Sequence, residues 1–598
     1  MSHLQVRTLP VVSSNSILIS HLPTRIRRVK CDEQRPICSR CRNFGVDCDG
    51  FQSQPIQSYT RPLSQAPPLL PTPPIRSKNA LLETSNGLRK SIQSNSSIRQ
   101  LLQSSLTFTP FSSDSEARYF DLFYKTTVDA ILPHCQATLH SPMLWGASFQ
   151  PSLRHAIVAL AALHEASTTA QNTTSLPSEY LNLSVNKHHQ NAIEHYSKAI
   201  KAMRSHSKED LRTILITCFM IFGFEAYHGN LSLALSQLQI GIALIETWKE
   251  ERSQGIGCSK DLDGDILESF VSLEIQMIGF RDMRGWESHA RLRREYADQI
   301  LGMPRTFKGV KEAQKYLQMI LKQIWHLRLM VSGPMLFYRE GDEGTGHTIL
   351  EPPREELIDI SSYLSHHRTE LSHWNSSFRH LIHQSLPTNH IPNLEQQTMT
   401  NYAQLHYATT TLLLETIPPP AQPPSSHEMI YDSHTEAFAH MLSLAEKLTH
   451  AMKTKITTSS PTNPSHPSQT FIASHARKSR FHIDTSIIFP LYFIALKCRV
   501  KRIRRKAIEL LMGEGREGVW DAGVVGRVCE WVGGVEGGGG DGEEIEGGDN
   551  GDHGDHGVPG WKRVERVWFG GELRERRVSV GCWVGGRKGR EFRAELVW

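Results

Sequence analysis

Long apolar runs are missing from this chain. The most apolar late stretch, Ile487–Leu496, falls well short of the roughly 20 residues a membrane span needs. Near the N-terminus, Ser16–Leu22 is too short to be the apolar core of a secretory signal. A soluble, intracellular protein is expected, and the Asn-x-Ser/Thr triplets headed by Asn172, Asn182, Asn230 and Asn375 are then chance matches. Catalytic signatures are missing too. There is no Gly-x-Ser-x-Gly, no Walker loop, no His-Glu-x-x-His and no Gly-x-Gly-x-x-Gly between a strand and a helix, so no enzymatic role is assigned. A large charge imbalance is also absent: the 598 residues carry a net charge of only +5, so any nucleic-acid-binding character must be local. At 39% the apolar fraction is slightly low, as for a real core joined to sizeable polar segments. The ten cysteines do not form a disulfide framework. Four crowd together, while Cys135, Cys218 and Cys498 lie in helix-like apolar runs and read as buried free thiols.

What is present begins with residues 25–51, RIRRVKCDEQRPICSRCRNFGVDCDGF. Cys38 and Cys41 form a Cys-x2-Cys pair, the spacing that brings two thiolates from one tight turn to one metal. Cys31 and Cys48 can complete a tetrahedral zinc site of four thiolates. Immediately upstream, Arg25, Arg27, Arg28 and Lys30 give the charge pattern of a segment that meets phosphate.

These residues resemble the zinc binuclear cluster (Zn2Cys6) of fungal transcription factors. The resemblance aligns Cys31, Cys38, Cys41 and Cys48 with the third to sixth family cysteines, and Pro36 with the proline of the inter-helix loop. It places Arg25, Arg27, Arg28 and Lys30 on the basic helix that enters the major groove, with Arg27 and Arg28 as the foremost contacts to base edges or phosphate. The family uses two zincs, but the positions of its first Cys-x2-Cys are held here by His21 and Thr24, so at most one complete zinc site is expected. The break between Thr24 and Arg25 is abrupt, and residues 1–24 read as an unstructured or mis-assigned N-terminus.

Residues 52–113 are rich in Pro, Ser, Gln and Asn and read as an extended linker. Leu81, Leu88 and Leu102 hint at a heptad that Asn95 interrupts, too little for a coiled coil. From 115 to 512 the pattern is helical. Tyr119, Phe120, Phe123, Tyr124, Val128 and Ile131 form one stripe; Leu153, Ile157, Leu160 and Leu163 a second; Leu231, Leu235, Leu238, Ile242 and Ile245 a third, after the turn His228-Gly229-Asn230. Thr213–Phe224 is apolar nearly all round, as for a helix at the centre of an α-domain. Residues 417–427 and 457–468 read as loops. Residues 513–598 read as a tail: a flexible Gly-rich acidic segment over 532–557, then RVERVWF and RRVSVGCWV as a hairpin.

Residues 482–521 are similar to the C-terminal signature of the fungal-specific regulatory domain. The likeness rests on Pro490-Leu491, Lys497-Cys498-Arg499, Ile503-Arg504-Arg505, Ala507-Ile508, Arg516-Glu517-Gly518 and Trp520. Tyr196, Ala199-Ile200, Phe224-Glu225 and Gly229-Asn230 add to it. The expected fold is mainly α: a Cys-rich zinc module (25–51), a Pro-rich linker (52–113), a large all-α regulatory domain (115–512) and a small Gly-rich/β tail (513–598). The resemblance implies a nuclear, sequence-specific regulator of RNA polymerase II transcription that binds double-stranded DNA at CGG-like sites through zinc. Homodimers and transcriptional co-regulators are further implied partners. The alternatives are a regulator that has lost DNA binding and acts by protein contacts, or a ligand-sensing or enzymatic α-domain.

Blander readings compete at single residues. Lys501–Lys506 reads as the solvated face of an amphipathic helix, with Ile503, Ala507 and Leu510 on its apolar face. His373, His380 and His383 read as surface histidines rather than metal ligands. Glu225 reads as a buried carboxylate paired to an arginine, and DHGDHG as acidic linker.

Overall fold

The structure is a computed structural model. It describes residues from Phe111 onward, except 133–149, 173–177, 206–209, 256–261, 281, 283, 334–335, 339–359, 386–393, 419–423, 459–480, 485, 538–557, 572, 585–589 and 598. The chain divides into two compact units, Met1–Ser96 and Ser97–Trp598, and every described residue lies in the second. Cys135, the 457–468 loop beyond Thr458, the DHGDHG motif and the heptad-like leucines lie outside the described residues.

The body is mainly helical. Asp114–Leu122 continues through a π-turn, Phe123–Thr127, into Val128–Ile131. The aromatic stripe read from the sequence lies here, with Tyr119, Phe123, Val128 and Ile131 buried. Two antiparallel helix pairs follow, Pro151–Asn172 with Ser178–Ser205, and Leu211–His228 with Leu231–Ser253. Leu211–His228 is the centre, buried on every face from Leu215 to Ala226. Its ends are fixed by local chemistry. The Asp210 carboxylate accepts from the Thr213 amide at 3.0 Å, an N-cap. At the other end Gly229 adopts φ +88°, which only glycine takes without strain, and closes a Schellman motif: Asn230 N–H donates to Glu225 O and Gly229 N–H to Ala226 O. Among the described helices, Leu231–Ser253 is long and apolar enough to cross a membrane by length and composition. In the body it buries one face: Leu231, Leu235, Leu238, Ile242 and Ile245, the stripe expected from the sequence, are all buried, while Leu233 and Ile240 are exposed.

Further helices, Gly264–Phe280, Val310–Ser332, Ile360–Ser385, Leu394–Glu415 and Thr435–Thr458, extend the same core. Trp374 is fully buried between Phe378 and Tyr407, stacked on both, and its indole N–H donates to Ala313 O at 2.7 Å. Ile488–Lys497 is buried along its whole length. Lys501–Met512 is amphipathic as expected, with Ile503 and Ala507 buried; Leu511 completes the buried stripe and Leu510 is half-buried.

Among the described residues, two small sheets complete the body. Phe481–His482 pairs in parallel with Arg516–Glu517, which turns back into Trp520–Asp521. The second sheet orders its strands Leu336–Tyr338, Val564–Gly570, Arg577–Val584, Arg590–Val597. The expected hairpin is its centre, and an edge strand has joined on each side. Gly581 faces Trp568 across the strands, and a Cβ at 581 would strike the indole, so the glycine makes room for the ring.

Two readings of the sequence need correction. The flexible Gly-rich stretch does not begin at 532, because Ala522–Glu536 is a helix whose last turn buries Val532 and Glu536. Its glycines permit close approach: a Cβ at Gly526 would press on the Met512 sulfur at 2.8 Å. The loop read over 417–427 is likewise interrupted, since Pro424–His434 is a 3-10 helix anchored by the buried Glu428.

Candidate functional site

The residues expected to carry DNA and zinc chemistry lie outside the described residues: Arg25, Arg27, Arg28, Lys30, Cys31, Cys38, Cys41 and Cys48. Their donor chemistry can still be tested against the metal. Four thiolates satisfy one tetrahedral zinc. They do not satisfy two, because Thr24 is a poor zinc ligand and His21 supplies one nitrogen at most.

Within the body, the residues of the C-terminal signature meet at one buried ionic junction. Lys497 Nζ contacts Glu428 at 2.5 Å, and Arg499 Nη2 bridges Glu428 at 2.9 Å and Glu536 at 2.8 Å. Arg504 pairs with Glu536 at 2.7 Å and donates to Cys498 O, so it turns inward while Arg502 and Arg505 face solvent. The Glu536 carboxylate also accepts from the Val564 amide at 2.9 Å, and Lys497 donates to Glu565 O at 3.1 Å. Burial alone would raise the Glu536 carboxyl, but the Arg499 and Arg504 guanidiniums hold it below the usual range. The junction therefore ties Pro424–His434, Ile488–Lys497, Ala522–Glu536 and the first strand of the C-terminal hairpin to one another. Arg563 adds a bidentate pair to Asp432, at 2.8 Å for each oxygen.

The other signature residues have similar structural duties. Glu517 is buried and accepts from the Ser486, Ile487 and Ile488 amides, capping Ile488–Lys497. Gly518 turns at φ +53° against Gln276, and Trp520 packs on Phe280, Phe489 and Tyr492. Tyr196 stacks on Phe224 with centroids 4.6 Å apart, and its hydroxyl donates to Glu225. The carboxylate that sequence reading pairs with an arginine thus has a tyrosine as a partner. The described cysteines, Cys218, Cys498, Cys529 and Cys582, are free and buried, and burial pushes the Cys218 thiol up to about 11 and that of Cys582 to about 12. The expected buried thiols at 218 and 498 are therefore found.

Sequence reasoning missed the histidine pairs. His155 and His195 approach with Nδ1 atoms 3.1 Å apart, His289 and His326 with Nδ1 atoms 2.9 Å apart, and His189 and His228 with Nε2 atoms 3.1 Å apart. Glu116 joins the first pair and Asp282 the second. Burial lowers the His155, His195 and His289 imidazoles, and it holds His228 near 4 and His326 well below the ordinary value. No local motif announces them, because each pair joins two different helices. His380 and His383 are exposed on Ile360–Ser385, as expected, while His373 is half-buried.

A mainly helical body preceded by a basic, cysteine-paired segment defines a class: regulators that couple a zinc-held DNA reader to a helical regulatory domain. Residues 25–58 match the Fungal Zn(2)-Cys(6) binuclear cluster domain, and residues 108–460 match the Fungal specific transcription factor domain. The chain belongs to the fungal-specific transcription factor domain family. It is a DNA-binding transcription regulator with zinc as its cofactor and a nuclear role, and not an enzyme. Among its relatives is the Aspercryptin biosynthesis cluster-specific transcription regulator atnN of Emericella nidulans, 23% identical over 83% of this chain and 84% of that protein. Transcription regulator lscL of Purpureocillium lilacinum is 24% identical over 38% of this chain and 49% of its own length. No solved structure matches the chain.

Proposed function

We propose that Arg25, Arg27, Arg28 and Lys30 lie on a short helix that enters the major groove at CGG-like triplets, with Arg27 and Arg28 as its principal contacts. Cys31, Cys38, Cys41 and Cys48 hold the zinc that folds this module. The observation that carries the reading is the match to the zinc-cluster domain, which begins at residue 25, where the basic run starts. On this reading residues 25–51 are the DNA reader, 52–113 a spacer, 115–512 the regulatory domain and 513–598 its tail. A homodimer on paired triplets and recruited co-regulators complete the arrangement. The relative whose name places it with a biosynthesis cluster suggests that the genes controlled here are also those of a biosynthetic cluster.

Arg27→Ala with Arg28→Ala tests the reader. Duplex affinity is expected to fall and the slope of log K against log salt to flatten, by roughly one for each of the two charges that meets phosphate rather than a base edge. Unchanged binding and slope overturn the helix assignment. Cys38→Ser is expected to release zinc from the module, and an unchanged thiolate-bound metal signal discards the site. A second reading rests on His21 and Thr24 standing where the first cysteine pair belongs. In that case the regulator acts through protein contacts of its helical body, and the purified chain shows no salt-sensitive preference for CGG-containing duplex.

A further inference from the structure

We propose that the helical body carries a metal site of its own, separate from the cysteine module, in which Glu116, His155 and His195 bind one first-row divalent cation of the zinc type. The three residues come from three helices, Asp114–Leu122, Pro151–Asn172 and Ser178–Ser205. His155 Nδ1 lies 3.1 Å from His195 Nδ1 and 3.4 Å from Glu116 Oε1. All three ligand atoms fall within 4.8 Å of one another. A tetrahedral zinc with ligands at about 2.0–2.1 Å sets neighbouring ligand atoms about 3.3 Å apart. The two edges that meet at His155 Nδ1 bracket that value, and the third edge stays within 4.8 Å. Two imidazoles and one carboxylate are an established zinc set that leaves one position for water.

The surroundings suit the role. Glu116 is fully buried, and its second oxygen is fixed by the Ser112 amide at 2.8 Å and the Ser112 hydroxyl at 2.5 Å. That leaves Oε1 aimed at the imidazoles, shared with Arg154 Nε at 3.2 Å, which is how outer-shell donors orient a ligating carboxylate. The His155 side chain keeps 15% of its surface exposed, which gives the ion a way in, while His195 is buried. Without metal the two imidazoles share one N–H···N hydrogen bond. Binding moves that proton to the far ring nitrogen and frees a lone pair on each Nδ1.

The similar group Asp282, His289 and His326 does not qualify. Arg284 grips the Asp282 carboxylate through Nε at 3.0 Å and Nη2 at 2.7 Å, and both imidazoles of that group are buried, which leaves no comparable entry.

The test uses the full chain, with zinc alone as the probe. Metal content after equilibrium dialysis is compared for the wild type, Cys38→Ser, His155→Ala and His155→Cys, alongside the shift of the unfolding midpoint on adding zinc. The wild type and His155→Cys are expected to hold one zinc more than His155→Ala. The zinc-dependent midpoint shift of the helical body should persist in Cys38→Ser and vanish in His155→Ala. If His155→Ala unfolds, Glu116→Gln, which keeps the side-chain shape, replaces it. Equal zinc content and equal midpoint shifts in the wild type and the ligand variants overturn the proposal, and this outcome is independent of what Cys38→Ser does to DNA binding.

Discussion

Glu536→Gln is the perturbation that most directly examines how the C-terminal region is joined to the helical body. Glu536 is 2% exposed, and its carboxylate answers Arg499 at 2.8 Å, Arg504 at 2.7 Å and the Val564 amide at 2.9 Å. The amide replacement keeps the volume and can still accept from Val564. It removes the negative charge, and Lys497, Arg499 and Arg504 are left around the single carboxylate of Glu428. Breaking a buried ion pair from one side costs about 3–5 kcal/mol, because the abandoned charge remains desolvated. The conserved shape puts the expected loss near the low end, about 3 kcal/mol. Urea unfolding followed by far-ultraviolet circular dichroism should give a lower midpoint with an unchanged slope. In a double-mutant cycle, Arg504→Met with Glu536→Gln should show a coupling of at least about 1 kcal/mol. A loss below about 1 kcal/mol, with no coupling, would mean that the junction is hydrated and does not hold the sheet to the helices.

Other outcomes are expected. Gly518→Ala places a side chain at φ +53° where a Cβ would strike the Gln276 amide, and should lower stability by roughly 1–3 kcal/mol. Adding Gln276→Ala should return part of that loss in the same unfolding assay, and no recovery would exclude the clash as its cause. Burial by itself would raise the Glu295 carboxyl, yet the Lys322 and Lys249 ammoniums bring it from 4.5 in the unfolded chain to about 2. Its contribution is therefore full above the unfolded value and is lost as pH falls from 4.5 through about 2. Glu295→Gln should accordingly flatten the acid side of the stability profile, and a profile as steep as the wild type's would place the acid sensitivity elsewhere.

The family was legible because its chemistry is written in short spacings. Cys38-x2-Cys41 and the run from Arg25 to Lys30 are local patterns, since a metal-binding turn and a basic helix face each need only a few consecutive residues. The helices were legible for a related reason. The stripes at Tyr119–Ile131, Leu153–Leu163 and Leu231–Ile245 repeat with the turn of a helix, and the all-round apolar run at Thr213–Phe224 can only be a central one. The hairpin could be read from its alternation, but its two added strands could not. Leu336–Tyr338 comes from more than 200 residues earlier in the chain, and nothing local assigns its partner. Gly-rich composition misled at 532–536, where packing on Lys501–Met512 and the ion pairs of Glu536 outweigh the poor helix propensity of glycine.

Composition and periodicity determined that this protein has a basic, cysteine-paired segment and a mainly helical body, because charge density, metal-ligand spacing and amphipathicity act between near neighbours. Only the tertiary structure decided which charges are spent inside. Arg504 lies in the run Lys501–Lys506, which reads along the chain as a solvated face, yet it turns to Glu536 from a separate helix, and Lys497 and Arg499 turn to Glu428, because burying a cation is costly unless a carboxylate or other acceptors answer it. The same holds for His155 and His195. They lie on separate helices, and only the packing of Pro151–Asn172 against Ser178–Ser205 brings their Nδ1 atoms to 3.1 Å beside Glu116.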